Sequence, residues 1–245
     1  MVALFVGAEK VSENLKKVDL VREMFSGIAS RYDLINTVLS LGFDKRWRAQ
    51  AVGVALEKSP SRILDVATGT GDFALALKRH DPRVEIVGVD LSEPMLALAR
   101  RKAKSQGLGI TWEQGDGTAL SYQDASFEAV TISYGLRNFQ DVPLGLGECF
   151  RLLSPGGRVV ILEFTAPPSG FVGSLVRIYG RTVVPVVGGF LSGRRSAYEY
   201  LPSSIQEFLD PARLCLQMRL AGFADVQYWR QYPGISAVHV GVKPT

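Results

Sequence analysis

Hydrophobic positions along the chain gather into short runs that alternate with amphipathic segments. Six runs have the length and the β-branched content of buried strands. They cover residues 62–66, 85–90, 109–114, 127–134, 157–164 and 236–242. Helical spacing is found between them at residues 72–78, 93–106, 143–153 and 205–221. The alternation predicts an α/β fold, with helices on both faces of a doubly wound, mostly parallel sheet.

Two segments lie outside this alternation. Residues 1–60 precede the first strand and are rich in aromatic and charged side chains, and residues 165–204 are apolar, arginine-bearing and interrupted by Gly and Pro. Additions to an α/β core often shape a pocket above the carboxyl ends of the strands. We therefore predict one domain over residues 1–245, with 1–60 as a helical lid or substrate segment and 165–204 as a pocket-shaping insertion. The alternative is that both only pack as additional helices.

Composition narrows the class of protein. The 245 residues carry a net charge of +4, which is too mild to indicate nucleic-acid binding. The two cysteines, Cys149 and Cys215, form no Cys-x-x-Cys pair, so a disulfide framework is not expected and a reducing compartment fits. There is no signal-peptide pattern and no uncharged apolar run of about 18 residues. We predict a cytoplasmic protein that does not span a membrane.

The stretch 65-DVATGTGDFALAL-77 indicates a strand, a glycine turn at Gly69 and Gly71, and the start of a helix. Asp72, in the first helical turn, would repel a pyrophosphate, because a helix N-terminus otherwise favours anions. Together with Asp65 it suits S-adenosyl-L-methionine, which offers an ammonium, a carboxylate and a sulfonium but no phosphate. The alternatives are that Asp72 is a first-turn charge and that Asp65 caps the glycine turn.

Two further strand ends fit the same cofactor. Asp90 follows Gly71 by 19 residues and can accept hydrogen bonds from ribose hydroxyls, with Leu91 beside it. Asp116 can accept from the adenine amine, and Gly117 allows close approach of the ring, although both also fit a polar turn. The spacing of these strand ends predicts S-adenosyl-L-methionine as the cofactor.

A nicotinamide cofactor and a metal site are both disfavoured. The chain has no Tyr-x-x-x-Lys pair, and its two histidines lie in a helix-end turn, His80, and in an alternating strand, His239. Neither histidine has a partner at metal-ligand spacing. We predict no metal.

Three segments carry a resemblance to a known family: 20-LVREMFSGIASRYDLINTVLSLGFDKRW-47, 131-TISYGLRNFQDV-142 and 151-RLLSPGGRVVILEFTAP-167. They resemble signatures of the menaquinone and ubiquinone biosynthesis C-methyltransferases, and the resemblance extends from about residue 15 to the C-terminus. It implies the seven-stranded Rossmann-like sheet of class I methyltransferases. It also implies C-methylation of a prenylated quinol, most often demethylmenaquinol to menaquinol and in many bacteria also a polyprenyl methoxybenzoquinol.

The sequence departs from the family's usual residues at Ile35, Asp44, Ser154, Thr165 and the turn 67–68. Asp44 stands where a histidine is usual, which weakens the case for an acid–base role there. By resemblance, cofactor contacts fall on Thr70, Asp90, Asp116, Gly117 and Ser133. Spacing alone would not have indicated Ser133.

The implied reaction methylates a ring carbon next to a hydroxyl, and a phenol that titrates near ~10 must first be ionised. Arg137 is our candidate for stabilising the phenolate, and Asn138 for orienting a ring oxygen or a water. Tyr32 and Asn36 share a helix face, where Tyr32 could stack on a ring and Asn36 could hold a hydroxyl. Glu163 could orient polar groups at the floor of the site. A loop salt bridge at Arg137 and a simple lid helix are the alternatives.

An isoprenoid tail requires a membrane surface or an apolar channel. The apolar residues 183–191, flanked by Arg177, Arg181, Arg194 and Arg195, suit an anionic bilayer, here the cytoplasmic face of the inner membrane. A core helix with solvated arginines is the alternative, and a homodimer stays open. So do a methyltransferase acting on another small aromatic or lipid and a non-catalytic, cofactor-binding scaffold subunit.

Overall fold

The computed structural model of the chain describes residues 33–192 and 195–245, except for the side chains of residues 172 and 192–199. One sheet of seven strands has the order β3-β2-β1-β4-β5-β7-β6. Its strands are β1 Arg62–Val66, β2 Glu85–Asp90, β3 Thr111–Gln114, β4 Phe127–Ser133, β5 Leu153–Phe164, β6 Ala224–Gln231 and β7 Ser236–Val242. The first five are parallel, and β7 runs antiparallel to both β5 and β6. The predicted α/β, doubly wound fold is confirmed.

Helices cover both faces of the sheet. They are α1 over residues 33–39, α2 Phe43–Leu56, α3 Asp72–His80, α4 Glu93–Ser105, α5 Val142–Leu152, α6 Phe171–Ser192, α7 Arg195–Glu207 and α8 Pro211–Leu220. One hydrophobic core forms where α5 and α8 pack on the sheet, and the other where α2 and α3 pack on the opposite face. This two-sided burial explains why the central strands are continuous apolar runs. Within the described ranges, no helix is both long enough and apolar enough to cross a bilayer.

The structure differs from the sequence prediction at two places near the C-terminus. The single helix predicted over 205–221 is wrong: α7 ends at Glu207, and α8 begins at Pro211, where the Asp210 carboxylate accepts a hydrogen bond from the backbone N–H of Arg213. Asp before Pro is a helix-start signal inside the predicted range. Strand β6 was missed because this edge strand exposes most of its side chains and has no apolar run.

The insertion adds a helical cover above the sheet. Helix α6 packs against α7 and, through Val184 and Tyr179, against Ile35 and Leu39 of α1. These helices lie over the carboxyl ends of β4 and β5, where parallel α/β sheets hold their ligands. The cover thereby creates enclosed space at the expected edge of the sheet.

Candidate active site

A cavity opens at the carboxyl ends of β1, β2 and β4. Its lining is mostly apolar but includes the carboxylates of Asp33, Asp72, Asp90 and Asp116, and we call it the polar cavity. Among the residues predicted for the site, those lining it are Asn36, Gly69, Thr70, Asp72, Asp90, Leu91, Asp116, Gly117, Ser133 and Asn138. Asp65, Gly71 and Arg137 are not part of its lining. Tyr32 lies outside the described residues. Strand ends that are far apart in sequence therefore meet in one cavity, as their spacing predicted.

Asp90 is prepared to accept further hydrogen bonds at the end of β2. Its Oδ2 accepts from the backbone N–H of Gly69 at 2.8 Å, and its Oδ1 accepts from that of Ser92 at 2.8 Å. Burial raises the pKa of Asp90 above its usual range, against the effect of these two bonds. A carboxylate has about four acceptor positions, so two remain for a pair of ribose hydroxyls.

Asp116 and Gly117 form a narrow edge of the cavity. The Oδ1 atom of Asp116 accepts from the backbone N–H of Thr118 at 2.9 Å and from its hydroxyl at 2.7 Å, which leaves Oδ2 available. A Cβ at position 117 would lie 2.6 Å from Val66 Cγ1 and 2.8 Å from Phe139 Cζ. Only glycine therefore fits between these side chains and lets a flat ring approach the backbone.

Asp65 supports the glycine turn from below. Its fully buried carboxylate accepts hydrogen bonds from the hydroxyls of Thr68 at 2.5 Å and Thr131 at 2.6 Å. Burial raises its pKa to about 6. Gly71, at φ +81°, lets α3 start close to Trp112, whose Cη2 would be 2.5 Å from an added Cβ. Asp65 therefore has the geometry of its alternative interpretation, in which it caps the glycine turn, and Gly71 shapes the start of α3.

Asp72 is already paired with two cations. Its carboxylate lies 2.5 Å from Lys102 Nζ and 3.2 Å from a guanidinium nitrogen of Arg48. Lys102 also donates to Asp33 at 2.7 Å and to Thr70 at 3.0 Å, and the Thr70 hydroxyl donates to Asp33 at 2.6 Å. This network joins α1 to the glycine turn. Sequence reasoning missed Lys102, which lies 30 residues from Asp72 on another helix.

The structure places Arg137 behind the cavity wall. Its guanidinium lies 2.7 Å from Glu163 Oε1, and the two side chains are only 2% and 1% exposed. It also lies over the ring of Phe164, 5.5 Å from the centroid. Arg137 lines neither this cavity nor the next one, and Glu163 balances its charge, so the geometry fits the alternative of a loop salt bridge. Asn138 does line the cavity, and its Oδ1 accepts from the hydroxyl of Tyr200 at 3.1 Å.

A second, largely apolar cavity adjoins the first. Its apolar walls are Leu39, Trp47, Phe164, Val176, Tyr179, Val184, Leu201, Ile205 and Ile235. Asn36, Arg48 and Tyr134 line both cavities. The ring of Tyr134 stacks on that of Phe164 with centroids 4.3 Å apart, and burial raises the pKa of its phenol. The arrangement offers a polar chamber and an apolar chamber with a common wall.

An apolar stripe runs along the outside of α6. Its residues are Phe171, Leu175, Ile178, Val186 and Phe190, of which Phe190 is 86% exposed. They recur at helical spacing on one face, and α6 has no acidic residue. Of the predicted flanking arginines, Arg181 is exposed and Arg177 instead donates to the Pro168 carbonyl at 3.1 Å. Arg194 and the side chain of Arg195 lie outside the described residues.

Comparisons with known proteins agree with this geometry. The model of the ubiE/COQ5 methyltransferase family matches residues 10–243. The chain belongs to this family. A demethylmenaquinone methyltransferase of Thermus thermophilus is 52% identical over 221 residues, covering 90% of this chain and 100% of the relative. The ubiquinone/menaquinone biosynthesis C-methyltransferase UbiE of Geobacter sulfurreducens is 45% identical over 231 residues, covering 93% of this chain and 90% of the relative.

Solved structures show the same fold at low sequence identity. A SAM-dependent methyltransferase of Thermotoga maritima gives a TM-score of 0.64 at 22% identity, covering 90% of this chain and 98% of that one. A phosphoethanolamine methyltransferase of Haemonchus contortus, solved with S-adenosylhomocysteine, gives 0.60 at 17% identity over 80% of this chain and 52% of that one. With the family membership, the predicted enzyme class and cofactor are confirmed: the protein is an S-adenosyl-L-methionine-dependent methyltransferase.

Proposed function

We propose that the protein methylates a ring carbon of a prenylated quinol, with demethylmenaquinol as the first substrate and a polyprenyl methoxybenzoquinol as the second. The observation that carries this proposal is the pair of adjoining cavities that share three lining residues, the first with four carboxylates in its lining and the second lined mainly by apolar side chains. A charged cofactor and an apolar acceptor suit two different cavities, and they can react only where the two cavities adjoin. The names of the relatives favour the naphthoquinol.

The cofactor roles follow from the polar cavity. Asp90 accepts from the ribose hydroxyls, and Asp116 accepts from the adenine amine through its available oxygen. Leu91, Gly117 and Ser133 form walls around the nucleoside. Thr70, Asp72 and the backbone at Gly69 face the methionine part. Asp65 and Gly71 act indirectly, because they hold the turn and do not line the cavity.

The acceptor roles fall on polar groups near the common wall. Asn36 and Asn138 orient ring hydroxyls, since their amides line the polar cavity and can donate and accept. Arg137 is a positioning residue that holds its loop against Glu163. Tyr32 keeps its sequence-based role as a ring-stacking residue.

A methyl-transfer assay with isotope-labelled S-adenosyl-L-methionine tests the function. Reduced, short-tailed demethylmenaquinol and methoxybenzoquinol are offered in parallel, and mass spectrometry locates the label. We expect label on a ring carbon, with Asn36→Ala lowering kcat while the affinity for S-adenosylhomocysteine stays the same. Label on oxygen would indicate a different methyltransferase reaction. No label with either quinol, despite cofactor binding, would favour another acceptor or a scaffold role.

We also propose that the stripe of α6 contacts the membrane in which the acceptor is dissolved. Exposed apolar side chains on a helix without acidic residues suit insertion into an anionic surface. The same helix supplies Val176, Tyr179 and Val184 to the apolar cavity, so docking would bring that cavity to the lipid. The proposal requires no membrane-spanning segment.

Flotation with anionic liposomes tests this contact. Phe190→Ser together with Val186→Ser should abolish co-flotation, whereas Leu220→Ser, at a 72% exposed position on α8, should leave it intact. Equal flotation of the stripe variant and the wild type would contradict the proposal.

A further inference from the structure

The common wall contains one side chain with a permanent positive charge. Of its three residues, Asn36 is neutral, and burial raises the pKa of Tyr134 so that its phenol stays protonated. Arg48 carries a guanidinium charge. In the proposed function, the methyl group passes from sulfur to ring carbon where the two cavities adjoin, which is beside these three residues. Among the described residues, Arg48 is therefore the cationic side chain that lines both cavities.

Arg48 is loosely held by its acidic neighbours. Its guanidinium nitrogens lie 3.2 Å from Asp72 and 3.4 Å from Asp44, which are long contacts compared with the roughly 2.7–2.9 Å of strong charge-assisted bonds. Each acid has a closer partner: Lys102 lies 2.5 Å from Asp72, and the Ser40 hydroxyl lies 2.9 Å from Asp44. The guanidinium, 19% exposed, therefore retains donors for a ligand.

The other described arginines near the apolar cavity are less suited. Arg137 is neutralised by Glu163 and lines neither chamber. The guanidinium of Arg177 donates hydrogen bonds to backbone carbonyls, including that of Pro168. Arg181 lines the apolar cavity but not the common wall, and it is exposed to solvent. The geometry leaves Arg48 as the candidate.

We propose that Arg48 is a catalytic residue that stabilises the phenolate of the acceptor ring during methyl transfer. The hydroxyl first loses its proton to solvent water. The adjacent ring carbon then attacks the methyl group: a C–C bond forms, the C–S bond breaks, and its electron pair goes to sulfur to give S-adenosylhomocysteine. The proton on that ring carbon leaves to water, and the ring becomes aromatic again. The inference rests on the proposed function and adds a residue to it.

The charges around Arg48 determine how a substitution should act. Asp44 faces it from its own helix and Asp72 from α3, and Asp72 is shared with Lys102 of α4, which also binds Asp33 of α1. Three carboxylates therefore face two cations, and removing Arg48 increases the excess of negative charge beside the ring. A cation within about 4–6 Å lowers the pKa of an acidic group by about 1–3 units, and an excess anion raises it. Ionisation of the acceptor should therefore become harder.

The pH dependence of kcat provides the test. Arg48→Gln removes the charge, Arg48→Lys restores a point charge, and Arg46→Gln is the matched control at an exposed position of the same helix. For Arg48→Gln we expect the rising limb of kcat to move up by about 1–2 pH units, with a ten- to hundred-fold lower kcat near neutral pH and recovery in alkali. Arg48→Lys should recover part of the loss. Arg46→Gln should match the wild type.

A pH-independent fall in kcat, or a change confined to the affinity for S-adenosylhomocysteine, would overturn the inference and indicate a structural role. A second measurement needs no turnover. The absorbance of 1-naphthol, titrated in the presence of S-adenosylhomocysteine, should show easier ionisation when bound to the wild type than when bound to Arg48→Gln, with Arg48→Lys between the two. Identical titrations of the wild type and Arg48→Gln would also overturn the inference. If the wild type methylates no quinol and yet ionises the bound naphthol, the proposed function fails and Arg48 keeps its electrostatic role.

Discussion

Replacing Asp65 with Asn should remove a pH-dependent cost to stability. The Asp65 carboxylate is completely buried, and its pKa rises from 3.8 to about 6 because burial outweighs the bonds from Thr68 and Thr131. An amide occupies nearly the same volume, and the threonine hydroxyls can donate or accept, so both hydrogen bonds can be kept. The variant differs chiefly in carrying no charge.

The magnitude follows from proton linkage. Between about pH 4 and about pH 6 the folded state binds this proton more tightly than the unfolded state, so the free energy of unfolding falls as the pH rises. The rise of the Asp65 pKa from 3.8 to about 6 corresponds to ~3 kcal/mol in the free energy of unfolding. The wild type loses this stability near neutral pH, whereas Asp65→Asn carries no charge and does not lose it. The difference in stability, variant minus wild type, should therefore increase by about 3 kcal/mol across this window.

His239 opposes this effect in the wild type. Burial lowers its pKa from 6.5 to about 4, so the unfolded state binds its proton more tightly. Its contribution to stability is complete above about pH 6.5 and is lost as the pH falls toward about 4. Because the two contributions have opposite signs and fall in the same pH range, the wild-type profile alone does not separate them. His239→Gln should give a difference curve of the opposite slope.

Urea unfolding followed by tryptophan fluorescence, at several values from about pH 4 to about pH 7, measures both curves. A pH-independent difference between Asp65→Asn and the wild type would refute the reasoning about burial.

The affinity for S-adenosylhomocysteine, measured by calorimetry, separates the two roles considered for Asp65, which are support of the glycine turn and direct contact with the cofactor. A change below about three-fold fits support of the turn, and a loss of ten-fold or more would indicate direct contact with the cofactor.

Two further substitutions test the close packing and the buried ion pair. Gly117→Ala should weaken S-adenosylhomocysteine binding by about ten-fold or more in calorimetry, since its Cβ has no room, whereas Gly147→Ala, with nothing within 4 Å, should bind normally. Similar affinities would remove the steric argument. Glu163→Gln leaves the charge of Arg137 buried and should cost about 3–5 kcal/mol in urea unfolding. Glu85→Gln, in a surface pair, should cost about 1 kcal/mol or less, and equal costs would contradict the distinction.

Much of the polar cavity could be predicted from the sequence, because its determinants are local. A buried strand is a continuous apolar run, and the residue after it lies at the carboxyl edge of a parallel sheet. Asp90, Asp116 and Gly117 follow such runs, so their meeting in one cavity required only the fold class. The edge strand β6 lacked this signal, because it exposes most of its side chains.

The apolar cavity could be predicted from the sequence only in part. Residues 165–204 showed an apolar segment, but only the packing of α6 and α7 over α1 turned it into a cavity. Which apolar side chains line that cavity and which form the outer stripe depends on how α6 is rotated against its neighbours. Helical spacing defines a face but does not define what covers it.

The sequence by itself determined the α/β order of elements, the glycine turn and the acidic strand ends, since these depend on neighbours along the chain. Only the tertiary structure decided which charges face the ligands. Arg137 was the sequence candidate for stabilising the phenolate, but it forms an ion pair with Glu163, which is 26 residues away in the chain. Lys102 binds Asp33, which is 69 residues away. Charge pairing depends steeply on distances that the packing of separate elements sets. For that reason Arg48, and not Arg137, lines both cavities.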